Sequence, residues 1–164
     1  MRGALRSGAL RCIGVVCLLL TLLALPARGA GGDEDGGADP YAGKSKEFQA
    51  AAAALSKGDY RRASELFARV VEATPNDADA FNLLGYSHRK LGDYDAALRF
   101  YGRALGLDPK HKGAHEYIGE TYLLLGDLAR AKEHLAQLDR ICWLSCEAYR
   151  DLKRAIAAYE ARPR

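Results

Sequence analysis

The chain has 164 residues, with 24 lysines and arginines against 21 acidic residues and a formal net charge of +3. Residues 1–29 hold four of the arginines and no acid, so the rest of the chain carries a net charge of −1. This balance argues against a basic nucleic-acid-binding face, and the remaining length suits one domain.

The amino terminus has the layout of a cleavable secretory signal. An uncharged apolar run covers residues 12–25, and Pro26 ends it before a stretch of small residues. The run is preceded by three basic residues, Arg2, Arg6 and Arg11. It is too short to span a bilayer comfortably, so we expect a signal over residues 1–29, cleaved after Gly29. We therefore expect a secreted protein that resides in the periplasm. The alternative is an uncleaved anchor, which would be its one contact with the membrane.

Residues 30–43 are predicted to be a flexible linker. The segment 31–43 contains five glycines, four acidic residues and one proline. A segment of this composition has little capacity to form a hydrophobic core.

The rest of the chain repeats itself. Gly-Asp pairs recur at a constant interval, at residues 58–59, 92–93 and 126–127, and small and apolar positions around them keep the same register. A fixed period of this length predicts an array of stacked supersecondary units.

The second unit reads as two antiparallel helices, over residues 79–91 and 95–107. Gly92 falls where the first helix must end in a left-handed residue. Small residues with the same period, Ala51, Gly85 and Gly119, are expected where two helices approach closely. Pro75 and Pro109 separate one unit from the next, because proline cannot continue a helix.

This unit resembles the tetratricopeptide repeat. The resemblance rests on Phe81, Leu84, Gly85, Gly92, Asp93, Tyr94, Ala97, Tyr101, Ala104 and Pro109. It implies an all-α fold, a right-handed α-solenoid of three helix-turn-helix units over 44–77, 78–111 and 112–145, together 44–145. A capping helix is expected over residues 146–162, with Ser145 as its N-cap. The first unit departs from the family pattern at Glu47, Ala50 and Ala51, and the third at Trp143.

The resemblance also implies that the first helix of each unit lines a concave groove that binds a peptide or another protein. The groove residues are then Phe48, Asn82, Tyr86, Arg89, Lys90, Glu116 and Glu120, with Ala52, Leu55 and Leu123 beside them. Some family members clamp a carboxyl-terminal carboxylate, but the corresponding positions here hold other residues. They are Phe48, Ala52, Leu83, Gly113 and Tyr117.

Cys142 and Cys146 are the cysteines that remain after signal removal. In an exported protein such a pair usually forms a disulfide, and a bend before the capping helix would bring the two residues within reach. Redox chemistry, Cu(I) binding through the two thiolates and reduced cysteines in the core stay as alternatives.

No catalytic motif stands out. The i, i+4 pairs His111–His115 and Glu116–Glu120 could chelate a metal, but a unit boundary divides the histidine pair and His115 falls on a packing position. We therefore expect a non-catalytic interaction module of the cell envelope, with no cofactor or metal. The rival hypothesis is a thiol-disulfide or copper-handling accessory protein that acts through Cys142 and Cys146.

Overall fold

The computed structural model describes residues 40–144 and 146–163, and these residues form α-helices and no strand. In chain order the helices are α1 (Lys46–Ser56), α2 (Tyr60–Ala73), α3 (Ala78–Lys90), α4 (Tyr94–Leu107), α5 (Lys112–Leu124), α6 (Leu128–Ile141) and α7 (Glu147–Glu160). Pairing α1 with α2, α3 with α4 and α5 with α6 gives three helix-turn-helix units, followed by α7. The all-α solenoid predicted from the repeat is confirmed. The predicted signal lies outside the described residues, within which no helix is long and apolar enough to cross a membrane.

The repeated Gly-Asp pairs make the turns between the two helices of each unit. Gly58, Gly92 and Gly126 have φ values of +73°, +85° and +80°, a region that favours glycine. The aspartate that follows each glycine is the N-cap of α2, α4 or α6, and its side chain accepts a hydrogen bond from a backbone N–H three residues on. One residue of each pair therefore ends a helix and the other begins the next.

Neighbouring helices pack in sequence along the array. Each first helix contacts the second helix of its own unit, and α3 and α5 also contact the second helix of the unit before. The first helices touch one another as well, because α3 contacts both α1 and α5. This order places side chains of α3 and α5 next to each other on one face.

Two glycines permit the closest approaches, as their spacing predicts. A Cβ atom added at Gly85 would lie 2.7 Å from the Tyr101 ring and 3.1 Å from the carbonyl oxygen of Ala97. One added at Gly119 would lie 2.5 Å from Leu152 of α7. Gly85 therefore lets α3 approach α4, and Gly119 lets α5 approach α7.

Helix α7 covers the end of the third unit. Leu152 and Ile156 are buried and join Leu123, Ala131 and Leu138 in one apolar cluster. Its N-cap residue is Cys146, which makes no side-chain capping hydrogen bond. The N-cap prediction for Ser145 is therefore wrong by one residue, because the helix starts at Glu147; Ser145 itself lies outside the described residues.

Candidate partner-binding face

Three tyrosines form a row where the first helices meet. The ring centroids of Tyr86 and Tyr117 lie 5.0 Å apart, and those of Tyr60 and Tyr86 lie 6.3 Å apart. All three side chains are half-buried. We call this row, together with Arg89, Lys90 and Glu120, the α3–α5 face. Of the three tyrosines, only Tyr86 was predicted as a partner-binding residue. Tyr60 belongs to α2, and Tyr117 was named only as a position that does not match the carboxylate clamp.

Arg89 and Lys90 lie against these rings in different ways. The Arg89 side chain is 12 % exposed, and its Nη1 donates to Oε2 of Glu120 at 2.9 Å. The Arg89 guanidinium lies 5.1 Å from the Tyr86 ring and 5.4 Å from the Tyr117 ring. Lys90 is exposed, with its Nζ 5.2 Å from the Tyr60 ring. Arg89 therefore ties α3 to α5, while Lys90 carries the accessible positive charge.

Asn82 is more buried than we expected for a residue that contacts a partner. It is 5 % exposed, and its Oδ1 has no hydrogen-bond partner among the described residues. Its Nδ2 lies 3.2 Å from the position of a Cβ atom at Gly113. Buried amide oxygens are nearly always satisfied, so the Oδ1 of Asn82 is an exception within the described residues.

The prediction that Phe48 binds a partner is wrong. Phe48 is 1 % exposed. Its ring packs 5.3 Å from that of Phe67 in α2, and Tyr41, from the segment before α1, lies 5.0 Å from it on another side. Phe48 is therefore a core residue. The prediction failed because the spacing of residues along a helix does not show which other segments cover that helix.

A pocket of about 390 Å³ lies between α5 and α7, next to this face. Glu116, Tyr117 and Lys112 line it from α5, and Cys146, Glu147, Ala148 and Asp151 line it from the start of α7. Burial, together with the negative charges of Glu120, Asp151 and Glu147, raises the pKa of Glu116 to about 7. Among the described residues no lysine, arginine or histidine nitrogen lies within 4.0 Å of the Glu116 carboxylate. The Glu116 carboxylate therefore has no ion-pair partner among the described residues, although Lys112 also lines the pocket.

Glu147 and Asp151 were not predicted as site residues. The signal was present in the repeat, since they lie one full period after Gly113 and Tyr117 of α5. Helix α7 thus presents residues in the register of a fourth first helix. From the sequence, α7 was expected only to cap the apolar end of the array, so Glu147 and Asp151 were not considered as site residues.

A polar network joins the amino-terminal ends of the three first helices. Lys44 Nζ lies 2.9 Å from Asp77 and 2.7 Å from Asp79, and Asp79 lies 3.1 Å from Nε2 of His111. The His111 hydrogen bond, together with Lys44, holds the pKa of Asp79 well below its usual range. His111 also caps α5, since its Nδ1 accepts from the N–H of Ala114. These groups link consecutive units.

His115 packs inward, as predicted, and pairs with a histidine of α6. It is 7 % exposed. Its Nε2 donates to the carbonyl oxygen of Pro109 at 3.1 Å, and its Nδ1 lies 3.0 Å from Nδ1 of His134. His111 and His115 thus use their nitrogens for separate partners. No group of three or more potential metal ligands occurs within residues 40–144 and 146–163.

The structure joins Cys142 and Cys146 in a disulfide whose Cα atoms lie 5.4 Å apart. The bridge spans the bend between α6 and α7, and Cys146 lines the α5–α7 pocket. The loop that it closes presents Trp143 and Leu144 to solvent, 92 % and 87 % exposed. The bridge thus holds the first turn of α7 beside α6.

Replacing both cysteines with serine is expected to lower stability modestly. The closed loop is very short, so chain entropy predicts a loss on the order of 1–3 kcal/mol. Because the bridge anchors the start of α7, amide exchange should increase in α7 more than in α1 or α3. Thermal unfolding and hydrogen exchange measure both effects. Unchanged α7 protection, with loss of bound copper or of a redox activity, would instead favour the rival thiol hypothesis.

Comparison with known proteins supports the same architecture. Two profiles of the tetratricopeptide repeat family match residues 48–111 and 88–141, together spanning residues 48–141. The chain belongs to the tetratricopeptide repeat family. A search of curated proteins gives no significant match.

Several solved structures share the fold. The type III secretion chaperone SycD of Yersinia enterocolitica, in complex with a peptide of the translocator YopD, is 21 % identical, with a TM-score of 0.61 over 69 % of this chain and 86 % of that one. The first repeat domain of Spaghetti (RPAP3), bound to an HSP90 peptide, is 16 % identical, with a TM-score of 0.62 over 70 % and 91 %. The Sgt2 domain of Aspergillus fumigatus is 19 % identical, with a TM-score of 0.63 over 70 % and 75 %.

Proposed function

We propose that this protein is a non-catalytic interaction module that binds a peptide segment of another protein on the α3–α5 face. The observation that carries the proposal is the half-buried row of Tyr60, Tyr86 and Tyr117 with Lys90 at its edge. Tyrosine is one of the residue types that most often carry interface energy.

Peptide complexes of structures with this fold are consistent with such a role. SycD holds a YopD peptide and the Spaghetti domain holds an HSP90 peptide. The resemblance to the family implies that the first helices line a concave groove, and here those helices supply Tyr86, Lys90 and Tyr117. The bound segment would lie across α3 and α5.

Tyr86→Ala should weaken peptide binding at least tenfold, because Tyr86 touches both other rings of the row and its loss removes a central anchor. Random displayed peptides selected on the purified protein provide the ligands, and anisotropy titration gives the Kd. Tyr94→Ala, at the first position of α4 in the same unit, is the matched control and should leave Kd unchanged. If no peptide is enriched, or if Tyr86→Ala binds as tightly as the wild type, the proposal fails.

We further propose that the module acts in the cell envelope, in the periplasm, after removal of residues 1–29. The basic start, the short apolar run and the small residues before Ala30 support this location. The intact mass of the native protein tests it, and a mature chain that begins near Ala30 is expected. Recovery of the uncut chain from the membrane fraction would contradict it.

A further inference from the structure

The pocket between α5 and α7 opens beside the α3–α5 face and differs from it in charge. Tyr117 belongs to both, so a segment bound on the face passes the mouth of the pocket. Three carboxylates, those of Glu116, Glu147 and Asp151, line the pocket against one ammonium group, that of Lys112. A volume of about 390 Å³ admits a long side chain.

The charge balance stays negative after the helix dipoles are included. Helices α5 and α7 both begin at this pocket, and each amino terminus contributes roughly half a positive charge. When all three carboxylates are ionised, Lys112 and the two helix termini together offset about two of the three negative charges. Asp151 is already paired with Arg154 at 2.6 Å, but the Arg154 side chain is 78 % exposed, so this pair is weak. The half-buried Glu116 carboxylate has no ion-pair partner among the described residues.

Within the part of the chain that the structure describes, a second polar group without a partner lies near this pocket, although it is not one of the residues that line it. Asn82 of α3 lies beside Gly113, the residue after Lys112, and is 5 % exposed. Its Oδ1 has no partner among the described residues and can only accept hydrogen bonds. An ammonium or guanidinium group carries the N–H donors and the positive charge that the Glu116 carboxylate lacks.

We propose that the bound segment carries a lysine or arginine side chain that enters the α5–α7 pocket and pairs with the carboxylate of Glu116. This inference rests on the proposed function and adds the chemistry of the partner. The basic side chain supplies the missing positive charge while the rest of the segment lies on the tyrosine row. The pocket thereby selects among peptides that the aromatic surface alone would accept.

The composition of the selected peptides tests this directly. Peptides enriched by the wild-type protein should carry lysine or arginine at one shared position, well above its frequency in the input library. Glu116→Gln keeps the shape of the side chain and removes its charge, so the enrichment should disappear. Glu133→Gln, exposed on α6, is the matched control and should preserve it. Helical circular dichroism establishes that each variant is folded.

Binding of one selected basic peptide should also depend on pH. Glu116 titrates with a pKa near 7 in the free protein, and a bound cation would lower that pKa. Affinity should then be about tenfold weaker near pH 6 than near pH 8, and Glu116→Gln should abolish most of the difference. Glu120, Asp151, Glu147, Lys112 and Arg89 also face this site, and the Gln variant separates Glu116 from them.

The outcomes distinguish this inference from the proposed function. Peptides that bind through Tyr86 without a shared basic position, or that keep it with Glu116→Gln, overturn the inference and leave the binding face intact. Failure to enrich any peptide, or binding that is indifferent to Tyr86→Ala, overturns the proposed function and the inference with it.

Discussion

Gly85→Ala is expected to destabilise the protein by about 2–3 kcal/mol, although alanine is the better helix former by about 1 kcal/mol. The added Cβ atom would meet the fully buried Tyr101 ring at 2.7 Å, and the backbone oxygen of Ala97 blocks an easy shift at 3.1 Å. The overpacking therefore outweighs the gain in helix propensity. Denaturant unfolding monitored by circular dichroism measures the change.

Gly102→Ala provides the matched control, because the same substitution is made in a neighbouring helix. Gly102 lies inside α4, and a Cβ atom there would meet nothing within 4 Å. Only the propensity term remains, so this variant should be stabilised by about 1 kcal/mol. If both variants shift stability in the same direction, close packing of α3 against α4 is not what requires Gly85.

The second large effect concerns acid and the pair of His115 and His134. The Nε2 of His115 faces a carbonyl oxygen and must carry a hydrogen, so neutral His115 accepts from Nδ1–H of His134. Burial, followed by the repulsion that would arise if both imidazoles were protonated, lowers the pKa of His134 to about 4. Among the described residues no carboxylate lies within 4.0 Å of either imidazole to stabilise a cation.

Stability should therefore fall as the pH is lowered from about 6.5 to about 4, by about 2 kcal/mol. In this window the unfolded chain protonates His134 and the folded chain does not, so protons favour unfolding. Glu116 acts in the opposite direction, because its raised pKa makes the folded state bind more protons between about 4.5 and 7. The measurement is therefore made with Glu116→Gln as the parent.

His134→Gln in that parent should flatten the dependence of unfolding free energy on pH. His88→Gln should preserve it, since His88 lies on α3 and pairs with Asp93. An equal slope with and without His134 would show that another group is responsible for the acid sensitivity.

The repeat allowed the parts of the fold that depend on local geometry to be predicted. Gly92 needs a left-handed backbone and Gly85 needs a close approach, and both requirements leave a mark in the sequence that recurs with the period. The sequence also predicted the inward position of His115. It did not predict that His134, on the next helix, would be its partner, because that pairing depends on how α5 meets α6.

The binding face was less predictable because exposure depends on neighbours from other elements. Spacing placed Phe48 and Arg89 on the accessible face of their helices. Tyr41, from the segment before α1, covers Phe48, and Glu120, from the next unit, draws the Arg89 side chain against two rings. Asp151 could have been found by extending the register of the repeat into the last helix.

The central claim, that a peptide segment binds on the α3–α5 face, is tested most directly by mapping where a selected peptide changes the amide resonances of the protein. Titration of labelled protein should move the signals of α3 and α5 most, centred on Tyr86, Lys90 and Glu116. Signals on the solvent-exposed sides of α2, α4 and α6 should stay in place. Changes confined to those second helices, with α3 and α5 unaffected, would contradict the account.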